Sequence, residues 1–141
     1  MEGPELMTRV WLALLVLAAS VALAQPASKK RGPTAEQTMM SRPLSAADID
    51  LYCKIAADIR KATGPVRSGA DSDRMFELTK TTAPKHGLSH AEYRALDLRI
   101  GSALLALDAG KTGSLPARSK ADCELVSKYR ARIDEARRFA K

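Results

Sequence analysis

Two passages constrain this chain more than anything else in it: Leu44-Ser45-Ala46-Ala47-Asp48-Ile49 and Leu88-Ser89-His90-Ala91-Glu92-Tyr93. In each, a serine stands where it can cap a helix. An acid at the third helical position can reach back to the free N–H groups, and the flanking Leu and Ile, or Leu and Tyr, form a hydrophobic staple. Capping chemistry accounts for the recurrence without a duplication. A chain that starts helices in this way, and then spaces its apolar residues by three and four, buries them helix against helix.

After Ser45 the apolar positions are Ile49, Tyr52, Cys53, Ala56 and Ile59, which predicts a helix over 46–62 stopped by Gly64-Pro65. After Ser89 come Tyr93, Leu96, Ile100, Ala103, Leu104 and Leu107, closed by Gly110 and Gly113. A third long helix begins after Pro116, or at Ser119 with Asp122 at its third position. It carries Cys123, Val126, Tyr129, Ile133, Ala136 and Ala140 on one stripe, and Glu124–Lys128 and Arg130–Asp134 as i,i+4 ion pairs. A shorter helix is expected over 72–83, capped by Asp71 or Ser72, with Met75, Phe76, Leu78 and Thr79 as its apolar patch. Its threonines are weak helix formers. No segment alternates with period two. The expectation is all-α: a small bundle of three long helices with one short helix at its edge.

The N-terminus reads differently. Val10 to Ala24 is uncharged and apolar, too short for a comfortable membrane span of roughly 20 residues. It ends in Ala22-Leu23-Ala24, follows Arg9, and gives way to Gln25-Pro26. Residues 1–24 therefore read as a cleavable secretory signal, with Met7 the better start, and the protein as exported to the periplasm or the cell exterior. Cleavage leaves no integral membrane span. Residues 25–43, with Pro26, Pro33, Pro43 and the Lys29-Lys30-Arg31 run, read as a disordered basic tail. The bundle domain is then 44–141.

Two cysteines, Cys53 and Cys123, follow the leader. An even count in an exported chain predicts a disulfide, and a bridge closing so long a loop would stabilise the fold by about 4 kcal/mol. It would set the first and last long helices side by side. Because both cysteines lie in N-terminal halves, the bridge favours a parallel or strongly crossed pair, and three long helices would let those two run roughly parallel. There is no C-x-x-C, so redox catalysis and haem attachment are unsupported.

The chain carries a net charge of +7, and loss of the leader, with Glu2, Glu5 and Arg9, raises this by one. An acidic protein or an anionic envelope component is the partner this favours. The candidate contacts are Lys29, Lys30, Arg31, Arg137, Arg138 and Lys141. Nucleic acid is a poor partner, since the few aromatics form no cluster with the basic residues. His86 and His90 cannot share a helix across Gly87 and the Ser89 cap, and no third His is present, so no metal site is expected. Gly110-Lys111-Thr112 follows a helix rather than a strand and is a helix stop, not a phosphate loop. No cofactor and no catalytic residue are assigned. The sequence thus points to an exported, non-catalytic helical protein that binds or shields a partner. The alternative is a small secreted helical enzyme acting on an anionic metabolite, with Asp50, Asp58, Asp97 or Asp108 facing Arg94 or Arg99 in a cleft. An exposed apolar groove would favour binding, and a buried Arg or Asp lining a pocket would favour the enzyme.

Overall fold

A computed structural model describes residues 32–138; the leader, the Lys29-Lys30-Arg31 run and Lys141 lie outside the described residues. These are all-α, with helices α1 (Ala35–Ser41), α2 (Ala46–Thr63), α3 (Gly69–Lys85), α4 (His90–Asp108), α5 (Ala117–Lys128) and α6 (Arg130–Arg137). No described helix is long and apolar enough to cross a membrane.

The two helix starts form as the sequence indicates. Ser45 caps α2 and Ser89 caps α4. In both, the Ser side chain accepts from the N3 backbone while the N3 carboxylate accepts from the cap N–H, a reciprocal pair that satisfies two otherwise orphaned donors. The ends are equally local. At Gly87 (φ +84°) the Leu88 N–H reaches the Ala83 carbonyl and the Gly87 N–H that of Pro84. At Gly110 (φ +62°) Lys111 and Gly110 repeat the pattern on Ala106 and Leu107. Both are left-handed C-terminal closures that any side chain would strain.

Four expectations are corrected. First, order begins upstream of Leu44. Thr34 and Gln37 form a capping box for α1, inside the stretch expected to be a tail. One-sided burial explains it: Met39 is only 4% exposed, packed into the common core, and α1 lies on α4. Second, α3 is a long helix. Ser68, not Asp71 or Ser72, caps it. Its threonines do not end it: Thr79 and Thr82 are buried in the packing, which outweighs their weak propensity, and the hydroxyls of Thr79 and Thr81 donate to carbonyls within the helix, Thr79 to Met75 and Phe76 and Thr81 to Leu78. Third, the last helix is two. It breaks at Tyr129. Its start is the first of the two expected, after Pro116, which occupies the cap of α5 with no side-chain cap bond. The break lets α5 pack on α4 while α6 packs on α2. One straight helix would have to turn the same side to both.

Fourth, Cys53 and Cys123 are free thiols, both buried. The break at Tyr129 is the physical reason. Cys123 belongs to α5, on the α4 side, where its Sγ lies 3.8 Å from the Ala103 carbonyl. Cys53 belongs to α2, whose neighbours are α3, α4 and α6. The helix that meets α2 is the one after the break. It meets α2 through the Asp50–Arg132 pair and the bond from Arg60 to the Glu135 carbonyl. Burial raises the pKa of both thiols, so both stay protonated.

A buried arginine ties the N-terminal helix to the rest. Arg99 of α4, 6% exposed, makes a two-pronged pair with Asp122 of α5 at 2.9 and 2.6 Å. Its remaining prong donates to the Met39 and Arg42 carbonyls, each at 2.7 Å. These carbonyls belong to the C-terminal end of α1, where helical partners run out. Beside it, Arg42 clasps Asp48 at 2.7 and 2.5 Å.

Candidate functional site

The candidate site is a half-open groove of about 470 Å³ bounded by α2, α3, α4 and α6. It exists because small side chains line it where helices approach: Ala56 on α2, Ser72 on α3 and Ala136 on α6. Its apolar surface comes from Tyr52 and Ile59, Met75 and Phe76, and Tyr93. Tyr52 and Tyr93 stack, with ring centres 5.7 Å apart and planes 15° from parallel. Phe76 is 42% exposed, an unusual fate for its type. The His90 ring stands edge-on to it at 5.0 Å, and the Lys80 ammonium and Arg94 guanidinium lie 4.7 and 5.6 Å from its centre.

The charged lining is unbalanced. Three arginines, Arg60, Arg94 and Arg137, face one carboxylate, Asp97. Asp97 is already engaged: it accepts from the Tyr52 hydroxyl at 2.7 Å, and an Arg137 nitrogen stands 3.8 Å from the same oxygen. Arg60 is steered by its bond to the Glu135 carbonyl at the α6 end. Burial, and then the neighbouring Asp97 charge, pushes the Tyr52 and Tyr93 phenols well above the usual tyrosine range. Neither is poised to release a proton. Thr79, the other hydroxyl that lines the groove with Ser72, is committed to backbone carbonyls.

Of the residues singled out from sequence, Arg94, Asp97 and Arg137 come together here. Arg99 does not: it is the buried clamp on the other side of α4. Asp50, Asp58 and Asp108 are surface partners of Arg132, His86 and Arg130. Arg138 is exposed at the end of α6. His86 meets Asp58 and His90 meets Phe76, and no group of three or more His, Cys, Asp or Glu among the described residues is placed to hold a metal ion. Sequence reasoning missed Tyr52, Tyr93, Phe76 and Arg60 as site residues. The tyrosines did carry a signal. A tyrosine on a buried face needs a partner for its hydroxyl, and Asp97 stands one turn beyond Tyr93. Phe76 and Arg60 join the groove only through the packing of α3 and α6 on α2. No protein-family model matches the chain, and no similar protein is found among curated proteins or among solved structures.

Proposed function

We propose that this is an exported, non-catalytic binding protein whose groove takes an organic anion with an apolar body, either free or displayed by a partner. The observation that carries the reading is the groove's division of labour: the exposed Phe76 and half-buried Met75, backed by the buried rings of Tyr52 and Tyr93, under a rim of three arginines against one carboxylate. Its volume falls within the range of small-molecule sites, and a pocket of that kind needs few polar groups to fix orientation. Arginine suits the task, since its fork matches a carboxylate or sulfonate and it is weakly hydrated. A catalytic reading has less support. The one carboxylate is held by Tyr52, the phenols hold their protons, and no activated nucleophile lines the groove.

The test uses anilinonaphthalene sulfonate, an aromatic anion that fluoresces when taken out of water. Binding to the folded protein should weaken by roughly a hundredfold when Arg60 and Arg137 are both changed to Ala, given that each charge-assisted contact is worth about 1.5 kcal/mol. Phe76→Ala should weaken it as well. Unchanged affinity in both variants would refute the reading. For export, the apolar run ending at Ala22-Leu23-Ala24 is the support, and N-terminal sequencing of the exported protein should begin at Gln25. An intact leader on that protein would refute it.

A further inference from the structure

The only carboxylate in the groove is half used. The Oδ1 atom of Asp97 takes the Tyr52 hydroxyl at 2.7 Å, and the Arg137 nitrogen stands 3.8 Å from that same oxygen. Among the described residues, nothing donates to Oδ2. At 3.8 Å the guanidinium and the carboxylate attract one another but share no hydrogen bond. Their side chains are 39% and 48% exposed, so the attraction is worth little and both groups keep bonding capacity for a ligand.

This acceptor and this donor are a specific pair. A ligand that offered only a carboxylate would satisfy Arg137 and leave Asp97 covered without a partner, which costs binding free energy. A ligand that also carries an N–H beside its carboxylate satisfies both. In an α-amino acid unit the nitrogen and the carboxylate share one carbon, which holds the nitrogen about 3 Å from the nearer oxygen. That spacing suits two protein groups 3.8 Å apart. The side chain on the same carbon is left to the apolar part of the groove, where Phe76 is exposed and Met75 half-buried. Small neighbours, Ala56, Ser72 and Ala136, leave room for it.

On the strength of the groove function proposed above, we infer that the anion it takes is an α-amino acid unit with an aromatic or large apolar side chain. Its carboxylate lies on Arg137, its N–H on Asp97 and its side chain on Phe76. Asp97 sets the specificity, by favouring anions with a donor next to the charge. The unit is either a free amino acid or the C-terminal residue of a peptide, which share this chemistry and differ in the charge on nitrogen.

Calorimetric titration of the protein with three ligands of one ring and one carboxylate tests this: 3-phenylpropionate, N-acetyl-L-phenylalanine and L-phenylalanine. At least one of the two nitrogen-bearing ligands should bind roughly tenfold more tightly than 3-phenylpropionate, as for a hydrogen bond to a charged, half-exposed acceptor. A preference for the acetylated ligand identifies a peptide C-terminus, and a preference for L-phenylalanine identifies the free amino acid. Asp97→Asn keeps an oxygen for the Tyr52 hydroxyl and replaces the other oxygen by a donor, so it should abolish the advantage without removing that bond. Equal affinity for all three ligands, or an advantage that survives Asp97→Asn, would overturn the inference. Anilinonaphthalene sulfonate, titrated into the same samples, separates the two levels. If it binds while the nitrogen brings no advantage, only the specificity assigned to Asp97 fails; if neither it nor 3-phenylpropionate binds, the groove function fails and the inference with it.

Discussion

Arg99 shows how much of this fold depends on one side chain. Its guanidinium serves three separate pieces of chain: Asp122 on α5, and the Met39 and Arg42 carbonyls that end α1. Truncating it leaves a largely buried carboxylate and two carbonyls without their donor, so Arg99→Ala should cost about 3 kcal/mol or more in a urea-unfolding measurement. A loss below about 1 kcal/mol would contradict this. Its neighbour Asp48 makes the fold sensitive to acid. The Arg42 guanidinium, with help from Ser45, holds the Asp48 carboxyl at about 2, well below the ordinary carboxylate range. A depressed pKa contributes stability that is full above the unfolded value of about 4 and fades as pH falls toward 2. Arg42→Ala should therefore lower stability by about 1–2 kcal/mol at pH 6, and the gap should close between pH 4 and pH 2. A gap that stays constant through that range would contradict the assignment. Neither arrangement was readable beforehand. The sequence offers Arg99 only as a residue that could face a cleft with a carboxylate of α2 or α4; its actual partners are set by the docking of α1 and α5 on α4.

At the level of elements, local chemistry was legible and long-range packing was not. The starts of α2 and α4 and the ends at Gly64, Gly87 and Gly110 follow from residues within one turn of each boundary. Ser89→Ala should accordingly cost about 1 kcal/mol, and Ser45→Ala about as much, measured by thermal unfolding. If neither midpoint moves, the caps contribute nothing. Where the sequence misled, the deciding force came from elsewhere in the chain. α1 has few apolar residues, and its own propensity does not hold it; burial of Met39 and the Arg99 clamp do. The last helix carries one apolar stripe, and nothing in that stripe announces that α4 and α2 will each claim half of it. The break at Tyr129 separates Cys123 from the helix that carries Cys53, so the bridge expected from the even cysteine count does not form.

For the whole molecule, six helices among the described residues leave a groove where apolar rings and three arginines converge. Three of the groove's four charged groups were visible in the sequence, Arg94 with Asp97 and Arg137 in the basic last turn; Arg60 was not. Its apolar floor was not, because Tyr52, Tyr93 and Phe76 are indistinguishable from core positions until the helices are placed. The most direct test of the groove is a nuclear magnetic resonance titration of the isotope-labelled protein with anilinonaphthalene sulfonate and, in parallel, with the uncharged phenylnaphthylamine of similar shape. The account predicts shifts concentrated at Tyr52, Met75, Phe76 and Tyr93, with the sulfonate binding roughly tenfold more tightly than its uncharged counterpart. Shifts centred instead on the exposed Leu98 and Leu105 of α4, or equal affinity for the two probes, would contradict it.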